Sequence, residues 1–403
     1  MTADLGPAAP APTFRSALRS WRLRRLLVAH VAGTVGQQVL TLAVGLAVLE
    51  RTSSGLWVSV TVALAFAPYA LLSGYAGTLA DRCSRSAVLA WSSTIRVVCA
   101  GVLSTGLLLG WPLPVIVLVA ALAAVAATPS YPALAAATPQ CVPAGNLPAA
   151  NALVTGLENI GWIAGPGVLG LFLLAGHGPV AAVAATIGLF AVATAAASGV
   201  GLDRPARPEA AGWHSELLVA ARLVVGDRLL RRLLTILVVD NLLYGYLVVA
   251  IVLIGTGSGS TGDSLGYLNT ALTVGAVLAM PVVNRLADTP RTLGLVMAGF
   301  GLSLLLLGLT GLSPAAIALV GCAGAATLIA EVLGVTMIQR GTPEQVHARV
   351  FGIYDQLAVG SVALGSLLAG PLADAVGSGG ASVLVAVTGL LVTGVATLAL
   401  RRN

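Results

Sequence analysis

The chain contains no lysine, and only 9% of its residues are charged. So few charges cannot cover a soluble globule of 403 residues, which excludes an ordinary soluble fold. Cysteine is scarce as well, and the scattered positions of Cys83, Cys99, Cys141 and Cys322 argue against a disulfide framework or a zinc site. The Gly-rich segments lack the G-x-x-x-x-G-K-[ST] pattern that cradles nucleotide phosphates. We therefore expect no metal and no cofactor.

Long apolar runs are what the chain has instead. Hydrophobic residues make up 57% of it, and the mean hydropathy is +0.96. Runs of about 20 apolar residues are long enough, as helices, to cross a hydrocarbon layer of about 30 Å. The alternating ten-residue segments of a membrane barrel are absent. The sequence predicts an all-α polytopic membrane protein.

Charge breaks, Gly/Pro turns and apolar length divide the chain into twelve predicted spans. These are 26–49, 55–77, 87–109, 113–136, 149–174, 179–200, 232–255, 264–283, 292–311, 314–338, 351–372 and 380–400. With the N-terminus in the cytoplasm, nineteen of the 21 Arg residues fall in inner segments, leaving Arg51 outside and Arg96 within a span. The positive-inside rule then predicts a multi-pass protein of the cell inner (plasma) membrane with both termini cytoplasmic. This topology also explains the basic pI without a nucleic-acid partner.

Two short sequence motifs each occur twice along the chain. Leu79-Ala80-Asp81 returns as Leu286-Ala287-Asp288, and the Arg-Arg-Leu-Leu string at 24–27 returns at 231–234, both at an offset of 207 residues. Such duplication predicts two six-helix bundles that enclose a substrate path at their interface. The predicted organisation is a cytoplasmic tail at 1–25, bundles at 26–200 and 232–400, a linker with an amphipathic surface helix at 201–231, and a tail at 401–403. A plain linker helix is the alternative at 201–231, and no removable signal peptide is expected.

A loop motif lies at the inner end of span two. It reads Gly77-x-Leu79-Ala80-Asp81-Arg82-x-x-Arg85, and it resembles the loop signature of the major facilitator superfamily. Ser84 and Ser86 depart from that signature, which makes the loop stiffer and less cationic. The resemblance implies a fold of twelve helices in two pseudo-symmetric six-helix bundles.

The same resemblance implies a conformational latch. An acid in a short inner loop can meet the positive N-terminal end of a helix from the other half. By resemblance, Asp81 would meet the start of span eleven near Arg349-Val350-Phe351-Gly352, and Arg82 or Arg85 would reach Asp355. The alternative is that Arg82 and Arg85 are only positive-inside anchors.

A second motif lies on span five. It reads Gly161-x-x-x-Gly165-Pro166-x-x-x-Gly170 and is similar to the glycine-proline signature of exporting, antiporter-type members. Gly at these spacings allows close helix packing, and Pro166 favours a bend. Generic small-residue packing is the alternative. Together with Pro132, Pro143 and Ala150-Asn151-Ala152-Leu153, the motif looks like the branch that includes macrolide-efflux and enterobactin-type exporters.

Charged and polar residues inside the spans are candidate functional groups. A charge at bilayer depth costs about 2.5–3.5 kcal/mol on insertion scales, so it should face protein or water. In the resembled fold, spans one, four, seven and ten surround the cavity, which favours Glu331 and then Asp240 as proton-coupling acids. Glu158 is a third candidate, with a structural hydrogen bond as its alternative role. His30 is expected to be interfacial, and the substrate-cavity candidates are Gln37, Gln38, Asn241 and Arg96.

The sequence thus predicts a secondary active transporter and not an enzyme. It would export a small amphipathic molecule, such as a drug, antibiotic, siderophore or other metabolite, by alternating access and proton antiport. The partners expected are this substrate, protons and membrane lipid, with the protein itself a monomer. An uptake carrier and a transporter-like membrane sensor or scaffold are the alternatives. No nucleophile constellation supports a membrane enzyme.

Overall fold

The computed structural model describes residues 14–201, 226–255, 262–283, 285–287, 289–341 and 347–401, although some side chains within these ranges are not described. The predicted linker helix therefore lies almost wholly outside the described residues. The described part is helical throughout. Its long helices are α1 (Trp21–Thr52), α2 (Gly55–Arg82), α3 (Arg85–Leu108), α4 (Leu113–Ala127 and Ser130–Cys141), α5 (Leu147–Leu174), α6 (Pro179–Ser198), α7 (Arg228–Gly255), α8 (Gly262–Val283), α9 (Pro290–Thr310), α10 (Pro314–Gly341) and a final stretch, His347–Arg401. Two short helical segments, Phe14–Ala17 and Ala144–Asn146, precede α1 and α5.

Among the described residues, 11 helices are long and apolar enough to cross a membrane, where the sequence predicted twelve spans. The difference lies in the final stretch, whose apolar part, Ile353–Leu398, has 46 residues. A helix of that length extends about 69 Å, more than twice the hydrocarbon thickness. Gly377 breaks it with non-helical angles of φ 77 and ψ 155. We call the part before Gly377 α11 and the part after it α12, which correspond to predicted spans eleven and twelve.

Helix α1 begins at Trp21, five residues before the predicted span. The Ser20 hydroxyl accepts a hydrogen bond from the Leu23 N–H at 3.2 Å and donates one to the Cys141 carbonyl at 2.5 Å. Arg25 donates to the carbonyls of Ala195 and Ala196 at the end of α6. Ser20 caps the N-terminus of α1, and Arg25 binds the free carbonyls at the end of α6. These two contacts allow the helix to start within the charged segment.

These contacts also define two sides of the bundle. The start of α1 meets the ends of α4 and α6, and we call this the basic side. At its other end, α1 carries Arg51, which donates to the carbonyl of Leu107 at the end of α3. Arg51 therefore lies on the side opposite Arg25, as the predicted topology requires. Which side faces the cytoplasm stays a prediction.

Helices α1 to α6 pack largely among themselves, and so do α7 to α12. In the first group α6 packs against α1 and α3, and in the second the principal contacts are those of α7 with α11 and α12 and of α8 with α10. The two groups meet along two seams, α2 against α11 and α5 against α8. The boundaries of the predicted halves remain a prediction, but this packing brings mid-helix residues of both groups toward a common centre.

Both seams are tight on the side opposite the basic side. Gly370 of α11 approaches α2 so closely that a Cβ added there would lie 2.1 Å from the Gly55 carbonyl oxygen. At the other seam, a Cβ on Gly170 would lie 2.7 Å from the Gly266 carbonyl oxygen of α8. Only glycine permits backbones this close. The two groups of helices are thus in backbone contact at that end.

Candidate functional site

A polar cavity lies at mid-helix depth within the first group of helices. It is lined by parts of α1 to α5, and its empty volume, including the part open to solvent, is about 700 Å³. It sits where α4 breaks between Ala127 and Ser130 at Pro129, which has no N–H to continue the helix. Its polar and aromatic lining residues are His30, Thr34, Gln37, Gln38, Thr41, Phe66, Tyr69, Ser93, Arg96, Ser130, Tyr131, Glu158 and Trp162.

One face of α1 supplies several of these residues. His30 and Gln37 are seven residues apart, so they lie two turns from each other on the same face. They are 9% and 6% exposed, and His30 Nε2 and Gln37 Oε1 have no hydrogen-bond partner among the described residues. His30 lies inside the bundle, on a helix that starts earlier than predicted, and its position relative to the membrane interface stays a prediction. Gln37 and Gln38 also line the cavity, and their role as substrate-cavity residues stays a prediction.

Arg96 of α3 lies in the wall of this cavity and is only 4% exposed. It donates to the carbonyls of Gly33 and Ser92 at 3.0 and 3.2 Å and to the Ser93 hydroxyl at 3.2 Å. Its guanidinium also lies 4.8 Å from the centre of the Phe190 ring of α6. All these partners are neutral, and no described carboxylate pairs with it. Arg96 therefore ties α1, α3 and α6 together and leaves a positive charge at the cavity wall.

An aromatic pair forms the opposite part of the lining. Phe66 of α2 and Trp162 of α5 are stacked with their ring centres 5.8 Å apart and their planes at 17°. Glu158 lies one turn before Trp162 on α5, is half-buried, and makes no hydrogen bond among the described residues. The alternative of a structural hydrogen bond for Glu158 is thus not realised here. Its carboxylate is placed to meet whatever enters the cavity.

The glycine-proline motif of α5 supports this arrangement. A Cβ on Gly161 would lie 2.9 Å from Thr34 Cγ2, and one on Gly165 would lie 2.2 Å from Gln38 Cβ. Pro166 lies inside α5, and Gly170 packs against α8 across the seam. The first two glycines of the motif therefore allow α5 to pack closely against the polar face of α1. The last glycine allows α5 to pack closely against α8 of the second group of helices.

The predicted proton-coupling acids of the second group lie elsewhere. Neither Glu331 nor Asp240 lines the cavity described above, and Asp240 is only 1% exposed. Asp240 of α7 accepts a hydrogen bond from the Thr327 hydroxyl of α10 at 3.1 Å, and its Oδ1 has no partner among the described residues. Glu331 of α10 accepts a hydrogen bond from the Tyr354 hydroxyl of α11. The two acids interact electrostatically, so α7, α10 and α11 share one acidic network.

Asn241 belongs to this network rather than to the cavity of the first group. Its amide donates to the Leu237 carbonyl at 2.9 Å, and it lies beside Glu331 and Tyr354. Its assignment as a substrate-cavity residue therefore does not apply to the cavity that the structure shows. It is placed to orient the acids instead.

Asp355 does not occupy the predicted latch position relative to Arg85. Arg85 donates to the Ala136 carbonyl of α4 at 2.6 Å. Asp355, exposed on α11, interacts electrostatically with Glu158 of α5 and with Glu331. It forms no ion pair among the described residues. The pairing of Arg85 with Asp355 is thus not present in this conformation, in which the Arg85 guanidinium bonds a carbonyl within its own group of helices.

Comparison with known proteins decides the family. The family model described as Major Facilitator Superfamily matches residues 26–360. The chain belongs to the Major Facilitator Superfamily. The family match confirms the resemblance that the loop signature carried, together with the fold of two six-helix bundles that it implied.

Among curated relatives, this superfamily member is similar to the enterobactin exporter EntS of Shigella boydii serotype 18. The two are 31% identical over 276 residues, which are 64% of this chain and 64% of that protein. The same identity and coverage hold for EntS of Escherichia coli O139:H28. The match thus spans a little less than two thirds of these relatives.

Solved structures share the fold at low sequence identity. The nucleoside transporter NupG superposes with a TM-score of 0.74 at 12% identity, covering 95% of this chain and 99% of that one. The peptide transporter POT in complex with sulfate gives 0.69 at 12% identity, covering 94% of each chain. These structural similarities show the fold of the chain and give no information about its substrate.

The latch of the superfamily signature stays a prediction. The backbones of Gly77, Asp81 and Arg82 lie at the end of α2, and those of Arg349 and Gly352 lie in the first turns of the final stretch. The side chains of all five lie outside the described part of the chain.

Sequence reasoning missed the aromatic lining. Phe66, Tyr69, Tyr131 and Trp162 were not candidates, although Phe66, Tyr69 and Trp162 lie well inside a helix rather than at its end. Tyr and Trp in membrane helices are enriched at the two interfaces. The position of these three residues in the middle of spans two and five was the signal that could have singled them out.

Proposed function

We propose that the protein is a secondary active transporter that exports a small amphipathic molecule by alternating access. The observation that carries this proposal is the polar cavity of the first group of helices, in which buried atoms of His30 and Gln37 have no hydrogen-bond partner among the described residues. Unsatisfied buried polar atoms at membrane depth are costly, and a bound ligand or water can satisfy them. Rocking of the two bundles about the seams would expose this cavity to each side in turn.

The export direction rests on the relatives and on topology. The 31% identical proteins carry the name enterobactin exporter, and the glycine-proline motif is similar to that of exporting members. The Arg distribution favours a cytoplasmic basic side and a location in the inner membrane. Enterobactin is therefore the first compound to test as cargo, alongside macrolides.

Transport in vesicles of known orientation tests the direction. In inside-out vesicles energised by a proton gradient, the wild-type protein should accumulate labelled enterobactin or a labelled macrolide above empty-vector vesicles. Gln37→Leu should reduce this accumulation. Asn269→Leu is the matched control, since Asn269 is an equally buried amide, on α8, that does not line the cavity. Accumulation only in right-side-out vesicles would support the uptake alternative, and ligand binding without counterflow would support a sensor.

Proton coupling is the second part of the proposal. Asp240 and Glu331 form a buried acidic network with polar partners on α7, α10 and α11, and such intramembrane acids are typical of proton pathways. A proton moving through about 100 mV supplies about 2.3 kcal/mol for export. Substrate-dependent proton movement in proteoliposomes should diminish in Glu331→Gln and Asp240→Asn. Glu50→Gln, at the exposed end of α1, is the control, and unchanged coupling in both acid variants would contradict the assignment.

A further inference from the structure

The cavity of the first group of helices combines three kinds of binding surface. These are a buried cation whose described partners are neutral, a stacked aromatic pair, and polar atoms that have no partner in the described part of the chain. Each can be traced to described contacts, and together they define the chemistry of a ligand more narrowly than the overall proposal of a transporter does.

The cation is the first element. Arg96 uses one N–H of each of its three nitrogens for Gly33, Ser92 and Ser93, which leaves a second N–H on each terminal nitrogen. A buried guanidinium that is held only by neutral acceptors keeps most of the cost of its desolvation. An anionic group, or a strong acceptor, that reaches these two N–H groups would offset that cost. The fork geometry of Arg suits a planar two-oxygen group such as a carboxylate.

The aromatic pair is the second element. Phe66 and Trp162 are parallel within 17°, and both line the cavity. Phe66 is buried and backs the half-buried ring of Trp162, which presents a surface on which another ring can stack. Offset stacking and edge-to-face contacts favour an aromatic ligand over a saturated one of the same size. Phe66 lies one turn from Tyr69 on α2, and Tyr69 interacts electrostatically with Arg96. The aromatic pair and the Arg96 guanidinium therefore line the same cavity.

The partnerless polar atoms are the third element. His30 and Gln37 are each more than nine-tenths buried, and the free Nε2 and Oε1 atoms belong to residues that line the cavity. They are separate observations from Arg96, because they lie on α1 and make no contact with its guanidinium in the described hydrogen bonds. A ligand with hydrogen-bonding substituents around its ring would satisfy them.

From these three elements we propose that the cavity binds a planar aromatic molecule bearing an anionic or strongly hydrogen-bond-accepting group. The acceptor would lie on Arg96 and the ring against Phe66 and Trp162. This inference deepens the proposed function, on which it rests, by naming the substrate class of the same site. Recognition of the cargo would thus be assigned to the first group of helices and proton handling to the second.

Binding of three matched probes tests the inference without any transport. The purified protein in lipid nanodiscs would be titrated calorimetrically with 2-naphthoate, with 2-naphthalenemethanol, which lacks the charge, and with decahydro-2-naphthoate, which lacks the aromatic rings. Empty nanodiscs serve as the blank. We expect 2-naphthoate to bind at least tenfold more tightly than either analogue. Equal affinities for all three probes would overturn the proposal.

Variants then assign the two contacts. Trp162→Leu should weaken 2-naphthoate about tenfold and leave decahydro-2-naphthoate unchanged, whereas Trp91→Leu, on the exposed face of α3, should change neither. Arg96→Gln should abolish the preference for 2-naphthoate over 2-naphthalenemethanol. Because Arg96 also joins three helices, the Trp162 comparison stands on its own if that variant does not fold. Equal effects of Trp162→Leu and Trp91→Leu would contradict the assignment of the stack.

The outcome separates this inference from the proposed function. Vesicles that accumulate enterobactin or a macrolide while the nanodisc protein fails to prefer 2-naphthoate would overturn the inference alone. Selective 2-naphthoate binding by a protein that shows neither net transport nor counterflow of any probe would overturn export and leave the binding site standing.

Discussion

The contact between Gly370 and Gly55 offers the sharpest test of how the two groups of helices move. A Cβ at position 370 would lie 2.1 Å from the Gly55 carbonyl oxygen and 2.6 Å from the Leu56 nitrogen. The N–H of Gly370 also donates to the Ser59 hydroxyl at 2.6 Å. Ordinary van der Waals contact needs roughly 3.5 Å, so Gly370→Ala must separate α2 and α11 by about 1.4 Å at the closest contact.

The size of the expected effect follows from this overlap. Forcing one extra carbon into a tight contact typically costs about 1–3 kcal/mol. The strain is relieved when α2 and α11 move apart on the side opposite the basic side, which is the movement that opens the cavity to that side. A coupling of about 1–3 kcal/mol changes the ratio of two conformations by about 5- to 150-fold. Gly370→Ala should therefore favour the conformation open to the side opposite the basic side.

Two other glycines provide matched controls. Gly365→Ala would place a Cβ 2.0 Å from the Leu242 carbonyl oxygen, but this contact joins α7 and α11 within one group of helices. Rocking of the groups cannot relieve it, so the variant should lower thermal stability without changing the balance between conformations. Gly101→Ala meets nothing within 4 Å and should change neither property.

Distances between spin labels measure the opening directly. Labels at His177→Cys, after α5, and Thr310→Cys, at the end of α9, report the separation of the two groups on the side opposite the basic side. The labels are placed in a background without the native cysteines. Double electron–electron resonance should then show a larger population of long distances in Gly370→Ala than in Gly101→Ala. Identical distance distributions in these two variants would refute the reasoning.

Three further predictions concern single side chains. Tyr354→Phe removes the hydroxyl that donates to Glu331 and should reduce substrate-dependent proton movement while leaving probe binding unchanged, as proteoliposome and nanodisc assays would show. Asp81→Asn should weaken the predicted latch and shift labelling of cavity cysteines toward access from the basic side, and an unchanged labelling pattern would count against the latch. Tyr246→Phe loses the buried hydrogen bond to Ser382, which spans 3.0 Å, and should cost about 1 kcal/mol, visible as a lower melting temperature.

The sequence determined the elements and the family. Apolar runs bounded by Arg, Gly and Pro predicted all twelve spans to within a few residues, because the hydrocarbon layer demands helices of a fixed minimum length. Asp81 and its neighbours, together with Gly161, Gly165 and Pro166, carried the superfamily resemblance. Apolar runs and short motifs each lie within one continuous segment, so the sequence alone is enough to identify them.

The tertiary structure decided which polar residues meet. His30 and Arg96 line one cavity with Glu158 although they lie on three different helices, and Arg85 bonds the Ala136 carbonyl rather than Asp355. The rotation of each helix about its axis determines which of these side chains are neighbours. That rotation follows from close packing between residues far apart in the chain. Hydropathy fixes how deep a residue lies in the membrane, but it does not fix which neighbour it faces.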